Sequence, residues 1–220
     1  SISDMLLMFH RNERPIYFIS ATNFNLLGID RWVNRFRYIN YIDCFDGRHP
    51  NVFVPPESLH DEFNSIEDIN NYLLQHKDVV DLIERRGGNP VATFLMFDEK
   101  TEELAKEIGL DIWFPPAALR QRCDNKMETV RIGNKAGVYS VPNALVKVDS
   151  YEHLMKIAEE YGLGQDLVIQ TAFGDSGHTT FFIANQHDFS KYEQEIIQDP
   201  EVKVMKRIKK LAEFVTISTI

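Results

Sequence analysis

The sequence has few cysteines and no apolar stretch long enough to cross a membrane. Cys44 and Cys123, its two cysteines, lie in no CxxC or comparable spacing, so neither a disulfide framework nor a zinc knuckle is indicated. We expect two buried or inert thiols in a reducing, cytoplasmic compartment. No apolar run approaches the roughly 20 residues that a membrane helix needs. The segment before Pro15 is too short and too acidic for a signal peptide.

Basic residues are also scarce. The chain has 24 Lys and Arg against 33 Asp and Glu, which gives a formal net charge of −9. This balance argues against a nucleic-acid partner, because a phosphate backbone needs clustered basic side chains. It permits a small anionic ligand, since such a ligand needs only local donors.

Short apolar runs alternate with helical periodicity in the first half of the chain. This alternation predicts βαβ units and a mostly parallel sheet, which is a doubly wound α/β domain. The predicted strands are PIYFIS, RYINYIDCF, NVFVPP, PVATFLMF and LDIWF, and the predicted helices are FNLLGIDRWVNRF, Ser65–Gln75, DVVDLIERR and EKTEELAKEIG.

The pattern changes after about Asp124. A helix is predicted over DNKMETVRIGNKAG, with Asp124 at its cap and Gly137 after its end. A β-α-β-β-α-β order follows, which predicts a small α+β unit. Phe181 and Phe182 are expected in its core. The six segments are ALVKVD, SYEHLMKIAEEYG, LVIQTA, TTFFIA, HDFSKYEQEII and EVKVMKRIKK.

A glycine-containing connection joins the two central strands of this unit. Gly174 and Gly177 let backbone N–H groups turn toward one point, while Ser176, His178 and Thr179 add side-chain donors. Such a loop can cradle an anion. The same residues also suit an ordinary hairpin turn, and taken alone they leave both interpretations open.

The order of these motifs resembles the ATP-grasp superfamily, and biotin carboxylase in particular. The motifs are Asp124-x-Lys126 at a helix start, AGVYSVPN, and the hairpin VIQTAFGDSGHTTFFI, with LDIWFPPAALRQRCDNKM leading into the helix. The resemblance implies an α/β, Rossmann-like domain over residues 1–122 and an ATP-grasp α+β domain over residues 123–220. Within the latter it implies a lid at about 145–200 and the start of a core subdomain at 201–220, incomplete at the C-terminus.

The resemblance also implies a nucleotide site. Lys126 matches the first phosphate-contacting lysine, the loop Gly174 to Gly177 matches the phosphate flap, and VKVMKRI matches the hinge beside adenine. Gln170 stands where the family has a second lysine, and its amide can donate a hydrogen bond but carries no charge. The implied nucleotide-binding residues are Lys126, Gln170, Gly174, Asp175, Ser176, Gly177, His178, Met205, Lys206 and Ile208.

The implied activity is that of an ATP-dependent ligase or carboxylase with ATP and Mg²⁺ as cofactors. Such an enzyme activates a carboxylate or bicarbonate as an acyl phosphate for capture by a nucleophile. The family's metal ligands lie on strands after the hinge, so no residue here is assigned to metal or to catalysis. SATNFN (Ser20 to Asn25) is the segment expected to contribute to the substrate site, and a homodimer or a carboxylase complex is the expected assembly.

Two other interpretations remain open. Because Gln170 replaces a lysine, the protein could be a catalytically degenerate, ATP-grasp-like regulatory or scaffolding subunit. The third is a Rossmann-type binding protein with an unrelated α+β appendage.

Overall fold

The computed structural model describes residues 1–174, 179–196 and 200–208. The chain forms two compact units, Ser1–Ala118 and Leu119–Ile220. In both units the predicted mixture of strands and helices is confirmed. Within the described ranges, every helix is too short or too polar to span a bilayer.

The first unit is built on a parallel five-stranded sheet of order β3-β2-β1-β4-β5. This is the strand order of a Rossmann sheet around its first strand. Ile16 in the central strand lies opposite both Phe36 and Val91, which fixes the register on its two sides. The strands are β1 Ile16–Ser20, β2 Phe36–Asn40, β3 Val52–Phe53, β4 Val91–Thr93 and β5 Asp111–Ile112.

Strand β1 is buried along its whole length because both faces of the sheet are covered. Tyr17 and Ile19 point into one apolar cluster, and Ile16 and Phe18 point into another. A continuous apolar run is the pattern that such a strand requires. The helices of this part of the chain are α1 Ile2–His10, α2 Ile66–Gln75, α3 Lys77–Arg86, α4 Glu99–Glu107 and α5 Ala117–Asp124.

Helix α2 begins where the sequence predicts, because the Ser65 side chain accepts a hydrogen bond from the backbone N–H of Asp68 at 3.2 Å. The helix predicted over FNLLGIDRWVNRF is wrong. Only Ile29–Arg31 forms a short 3-10 turn. Phe24 and Arg35 have φ values of 49° and 62°, which no α-helix accommodates.

The second unit contains an antiparallel four-stranded sheet of order β6-β9-β7-β8. Helices α7 and α8 supply the apolar side chains that pack with alternate strand residues in one core cluster, Leu154, Ile157 and Phe189 among them. The elements are α6 Lys126–Lys135, β6 Asn143–Val146, α7 Tyr151–Glu160, β7 Leu167–Gln170, β8 Thr180–Ile183, α8 Gln186–Glu195 and β9 Val202–Lys206. The predicted β-α-β-β-α-β order is confirmed.

Three side chains are more exposed than a core position allows, and the core position predicted for Phe182 is wrong. Cys44 and Cys123 are both exposed, which excludes a buried thiol and leaves an inert thiol as the prediction. Phe181 packs against the core, with its ring centroid 5.2 Å from that of Tyr192, but Phe182 is 56% exposed. Adjacent residues of a strand point to opposite faces, so only one of the two phenylalanines can reach the core.

Candidate functional site

Helix α6 begins against the base of the glycine-containing hairpin. Asn125 caps the helix, since its Oδ1 accepts from the N–H groups of Met127 at 2.9 Å and Glu128 at 3.3 Å. The predicted cap, Asp124, is instead the last residue of α5, so the assignment was one residue early. The Lys126 N–H, one of the donors that a helix start leaves free, donates to the Ala172 carbonyl at 2.9 Å.

The Lys126 side chain turns toward the same hairpin. Its Nζ donates to the carbonyl oxygen of Gly174 at 2.9 Å. The carbonyl between these two, that of Phe173, accepts from the hydroxyls of Thr171 at 2.9 Å and Thr179 at 3.0 Å. Three successive carbonyls of the hairpin base are therefore all hydrogen-bonded, two of them by Lys126.

Gly174 allows the close approach of the two hairpin arms. A Cβ at this position would lie 1.8 Å from Oγ1 of Thr179 and 2.8 Å from its Cβ and Cγ2. No side chain fits there unless Thr179 moves. The glycine that the sequence assigns to a flap thus has a steric role in closing the hairpin base. The next four residues, Asp175, Ser176, Gly177 and His178, lie outside the described residues.

The sheet of the second unit has a face that points away from the core cluster. Val202, Val204, Leu167 and Ile169 belong to that cluster, so the residues between them point to the other side. Strand register arranges this second face in two rows. The flap-side row is Leu145, Lys203, Gln170 and Thr180, and the distal row is Asn143, Met205, Val168 and Phe182.

The flap-side row lies at the end of the sheet from which the hairpin loop leaves. Gln170 is the last residue of β7 and Thr180 the first of β8. The Gln170 amide donates to the Thr180 hydroxyl at 3.3 Å. Gln170 is thus hydrogen-bonded within the hairpin and lies close to the loop that follows it.

Lys203 is a residue of this face that sequence reasoning missed. It is partly buried, and burial lowers the pKa of its ammonium group, with repulsion by Lys126 lowering it further. The signal was present in the strand VKVMK, because Val202 and Val204 point into the core and leave Lys203 on the opposite face.

The three residues predicted to form the hinge beside adenine do not lie together on one face of the sheet. Met205 lies in the distal row beside the exposed ring of Phe182, over which the Arg207 guanidinium stacks at 4.8 Å from the ring centroid. Lys206 is exposed at the end of β9, and its N–H donates to the Pro142 carbonyl at 3.4 Å. Ile208 follows the strand and is partly buried.

The first unit carries the segment SATNFN directly after β1. The Ser20 hydroxyl donates to the Thr22 carbonyl, and Asn40 donates to Ser20 Oγ at 3.3 Å. Asn23 is 6% exposed, and its Oδ1 has no hydrogen-bond partner among the described residues.

A cleft of about 470 Å³ also lies in this unit, lined by Asp30, Arg31, Phe45, Arg48, His49, Pro50 and Asn51. It contains none of the residues predicted for the site, and we assign it no function.

No protein-family model matches the chain, and no curated protein matches its sequence. Solved structures do match its fold. Biotin carboxylase from Campylobacter jejuni, solved as a β-γ-ATP complex, gives a TM-score of 0.63 at 13% identity, over 90% of this chain and 46% of that one. The fold is that of the N-terminal half of ATP-grasp enzymes.

Two further ATP-grasp structures match in the same way. The biotin carboxylase domain dimer of Hydrogenobacter thermophilus 2-oxoglutarate carboxylase, solved with MgADP, ADP and bicarbonate, has a TM-score of 0.58 at 13% identity, over 88% of this chain and 44% of that one. N5-carboxyaminoimidazole synthase from Aspergillus clavatus, solved with ADP and 5-aminoimidazole ribonucleotide, has a TM-score of 0.54 at 13% identity, over 88% and 46%. The chain spans about half the length of each.

The ATP-grasp resemblance of the sequence is therefore confirmed as a resemblance of fold. The assignment of single residues to nucleotide binding stays a prediction. Its described members divide into Lys126 and Gly174 at the hairpin base, Gln170 and Met205 on the second face of the sheet, and Lys206 and Ile208 at the end of β9.

Proposed function

We propose that the protein binds ATP on the second face of the antiparallel sheet and acts as an ATP-dependent ligase or carboxylase of the ATP-grasp type. The observation that carries this proposal is the position of Lys126. Its ammonium group lies at the base of the hairpin, 2.9 Å from the Gly174 carbonyl, beside the flap-side row. The matched ATP-grasp structures were solved with ATP or ADP, which supports the same ligand here.

The described residues fit a nucleotide in two respects. The positive charge of Lys126 lowers the pKa of the Lys203 ammonium group, after burial, and two positive charges that interact in this way favour a bound anion. The distal row offers the accessible apolar side chains of Met205 and Phe182 on either side of the buried Val168, which suits a flat aromatic base. In this proposal the base lies on the distal row and the phosphates lie toward the hairpin.

The described residues supply no site for Mg²⁺. Among them, no group of three or more His, Cys, Asp or Glu side chains is placed to hold a metal ion. We therefore assign no step to a metal held by these residues. Mg²⁺ enters the proposal only as the counter-ion that accompanies ATP.

ATP would supply the phosphoryl group that activates a carboxylate or bicarbonate. The residues of this chain would orient the nucleotide, neutralise phosphate charge through Lys126, and cover the phosphates with the hairpin. In this proposal residues 1–122 form the Rossmann-like domain and SATNFN contributes to the substrate site. The ATP-grasp domain begins at residue 123, with its lid over about 145–200. A cytoplasmic location and a homodimer or carboxylase complex belong to the same proposal.

Titration calorimetry with ATP in the presence of Mg²⁺ tests nucleotide binding directly. We expect Lys126→Ala to weaken ATP binding by about 10- to 100-fold, because a charge-assisted hydrogen bond contributes about 1.5–3 kcal/mol. Lys156→Ala on α7 is the matched control, since that exposed lysine lies on a helix of the core side. Equal ATP affinity of Lys126→Ala and the native protein would contradict the assignment.

A degenerate regulatory or scaffolding subunit is the second candidate. Gln170, in place of a lysine, is the observation that favours it. ADP release during incubation with ATP and bicarbonate, or with a panel of carboxylates, separates the two. If the protein binds ATP but releases no ADP with bicarbonate or with any carboxylate tested, the degenerate subunit is supported.

A further inference from the structure

The second face of the sheet places a lysine directly opposite the position where a lysine is missing. Gln170 of β7 and Lys203 of β9 are register partners in an antiparallel pair. Directly opposite residues have Cβ atoms only about 5 Å apart and point to the same face of a sheet. The ammonium group of Lys203 can therefore reach the space in front of Gln170.

The neighbours of these residues confirm that both point away from the core. Val204 and Ile169, the residues next to Lys203 and Gln170, are register partners of each other and belong to the core cluster. Gln170 also donates to Thr180, which belongs to the same row. One face thus carries the row Lys203, Gln170 and Thr180 at the end where the hairpin loop leaves the sheet.

Lys203 is held in an electrostatically unfavourable position. Burial lowers the pKa of its ammonium group first, and the positive charge of Lys126 lowers it further. Within the described part of the chain, no carboxylate forms an ion pair with either Lys203 or Lys126. The acids two residues away from these lysines in sequence, Glu201 and Glu128, both pair with Arg131.

Among the described residues no carboxylate is shared between these two lysines, and the positive charge of Lys126 disfavours the charged form of Lys203. An anion bound near both would offset this repulsion, since it interacts favourably with both charges. A polyphosphate has several charged oxygens and can contact two ammonium groups that come from different elements.

We propose that Lys203 is the second phosphate-binding cation of the site, supplying from β9 the positive charge that Gln170 on β7 cannot supply. The ligand class is a nucleoside di- or triphosphate, so the proposal rests on the proposed function. Gln170 keeps a hydrogen-bonding role within the hairpin. The charge of the site is thereby moved to the neighbouring strand while its position on the sheet face is retained.

A charge-swap experiment tests this proposal. We expect Lys203→Met to weaken binding of MgATP and MgADP by about 10- to 100-fold in titration calorimetry, with adenosine binding unchanged. The double variant Gln170→Lys/Lys203→Met returns the charge to β7 and should recover at least half of the lost free energy. Lys156→Met on α7 is the control and should bind all three ligands as the native protein does.

Folding of each variant is checked by thermal denaturation without ligand. Lys203→Met should unfold at the same temperature as the native protein or higher, because it removes a repelled, partly buried charge. If Lys203→Met binds ATP weakly and also unfolds at a lower temperature than the native protein, Lys203 has a merely structural role and the proposal is overturned. Equal loss of adenosine and ATP binding would do the same.

Tripolyphosphate, measured by its effect on the unfolding temperature, separates this proposal from the proposed function. If the native protein binds tripolyphosphate and Lys203→Met does not, the anion site stands even where ATP fails to bind. If the native protein binds ATP and Lys203→Met binds it equally well, nucleotide binding stands and the role of Lys203 is refuted. If the native protein binds neither probe, both proposals are refuted.

Discussion

Substitution of Gly174 by alanine should open the base of the hairpin. The added Cβ would lie 1.8 Å from Oγ1 of Thr179, far inside van der Waals contact, so Thr179 must move. Two hydrogen bonds depend on its position. Its hydroxyl donates to the Phe173 carbonyl at 3.0 Å, and its carbonyl accepts from the Thr171 N–H at 3.2 Å.

The magnitude follows from these two bonds. A hydrogen bond contributes about 1 kcal/mol net to stability, so losing both costs about 2 kcal/mol. The φ of Gly174 is +157°, a backbone conformation that residues with a side chain rarely adopt, so restriction of the unfolded chain does not offset this loss. We expect a local destabilisation of about 2 kcal/mol or more at the end of β7, equivalent to about 30-fold or faster amide exchange there.

Hydrogen–deuterium exchange of peptides that cover β7 and residues 171–174 measures this effect directly. The control is Gly162→Ala, where the φ of +64° imposes backbone strain but no atom lies within 4 Å of the new Cβ. It should leave the exchange of these peptides unchanged. The second test is Gly174→Ala on a Thr179→Gly background, which removes the colliding side chain. If Gly174→Ala costs as much on that background as in the native protein, the steric argument is refuted.

The remaining predictions concern stability. Asn125→Ala should lower the free energy of unfolding by about 1 kcal/mol, because the first turn of α6 loses the acceptor for two N–H groups. Asn125→Asp keeps an acceptor and should retain this stability, and thermal denaturation compares the two variants. Leu73→Ala should lower the free energy of unfolding by about 2–5 kcal/mol, since this side chain is completely buried in the first unit. Urea unfolding monitored by tryptophan fluorescence measures the loss, and a loss below about 1 kcal/mol would contradict the packing. Burial acts to raise the pKa of Asp98, but hydrogen bonds from Thr101 and Asn71 outweigh it and lower the pKa below 3.8. This contribution to stability is present above pH 3.8 and is lost as the pH falls through the lowered pKa. The free energy of unfolding of Asp98→Asn, measured by urea denaturation at a series of acidic pH values, should therefore fall less steeply with decreasing pH than that of the native protein.

Sequence reasoning predicted most of the elements, because their periodicity and caps are local. Ser65 at a helix start and the continuous apolar run of β1 are examples. The helix predicted around Trp32 failed, since its apolar spacing is helical while residues with positive φ on either side interrupt the backbone. Asp124 was mistaken for the cap because α5 and α6 follow each other with only Asn125 between them.

The sequence predicted only part of the site, because one of its residues is placed there by strand pairing between distant segments. Lys126 and the hairpin are motifs of local sequence, and the structure brings them together at Gly174. Lys203 belongs to the same face only because β9 lies between β6 and β7. Strand order of this kind depends on pairing between distant segments. No local pattern around Gln170 identifies its partner.

The central position of β9 also has a consequence for how the second unit folds during synthesis. Among the strands that the structure describes, β6 pairs only with β9, and Asn143 lies opposite Met205, so β6 lacks this partner until the chain has been made past that residue. The hairpin β7-β8 and its helices can form earlier, since their contacts are closer in sequence. While the ribosome is still adding residues 186–206, both the inner edge of β7 and the whole of β6 expose unpaired backbone groups. The last described strand therefore joins β6 to the hairpin, and until then the unpaired strands of the nascent chain are open to pairing with another molecule.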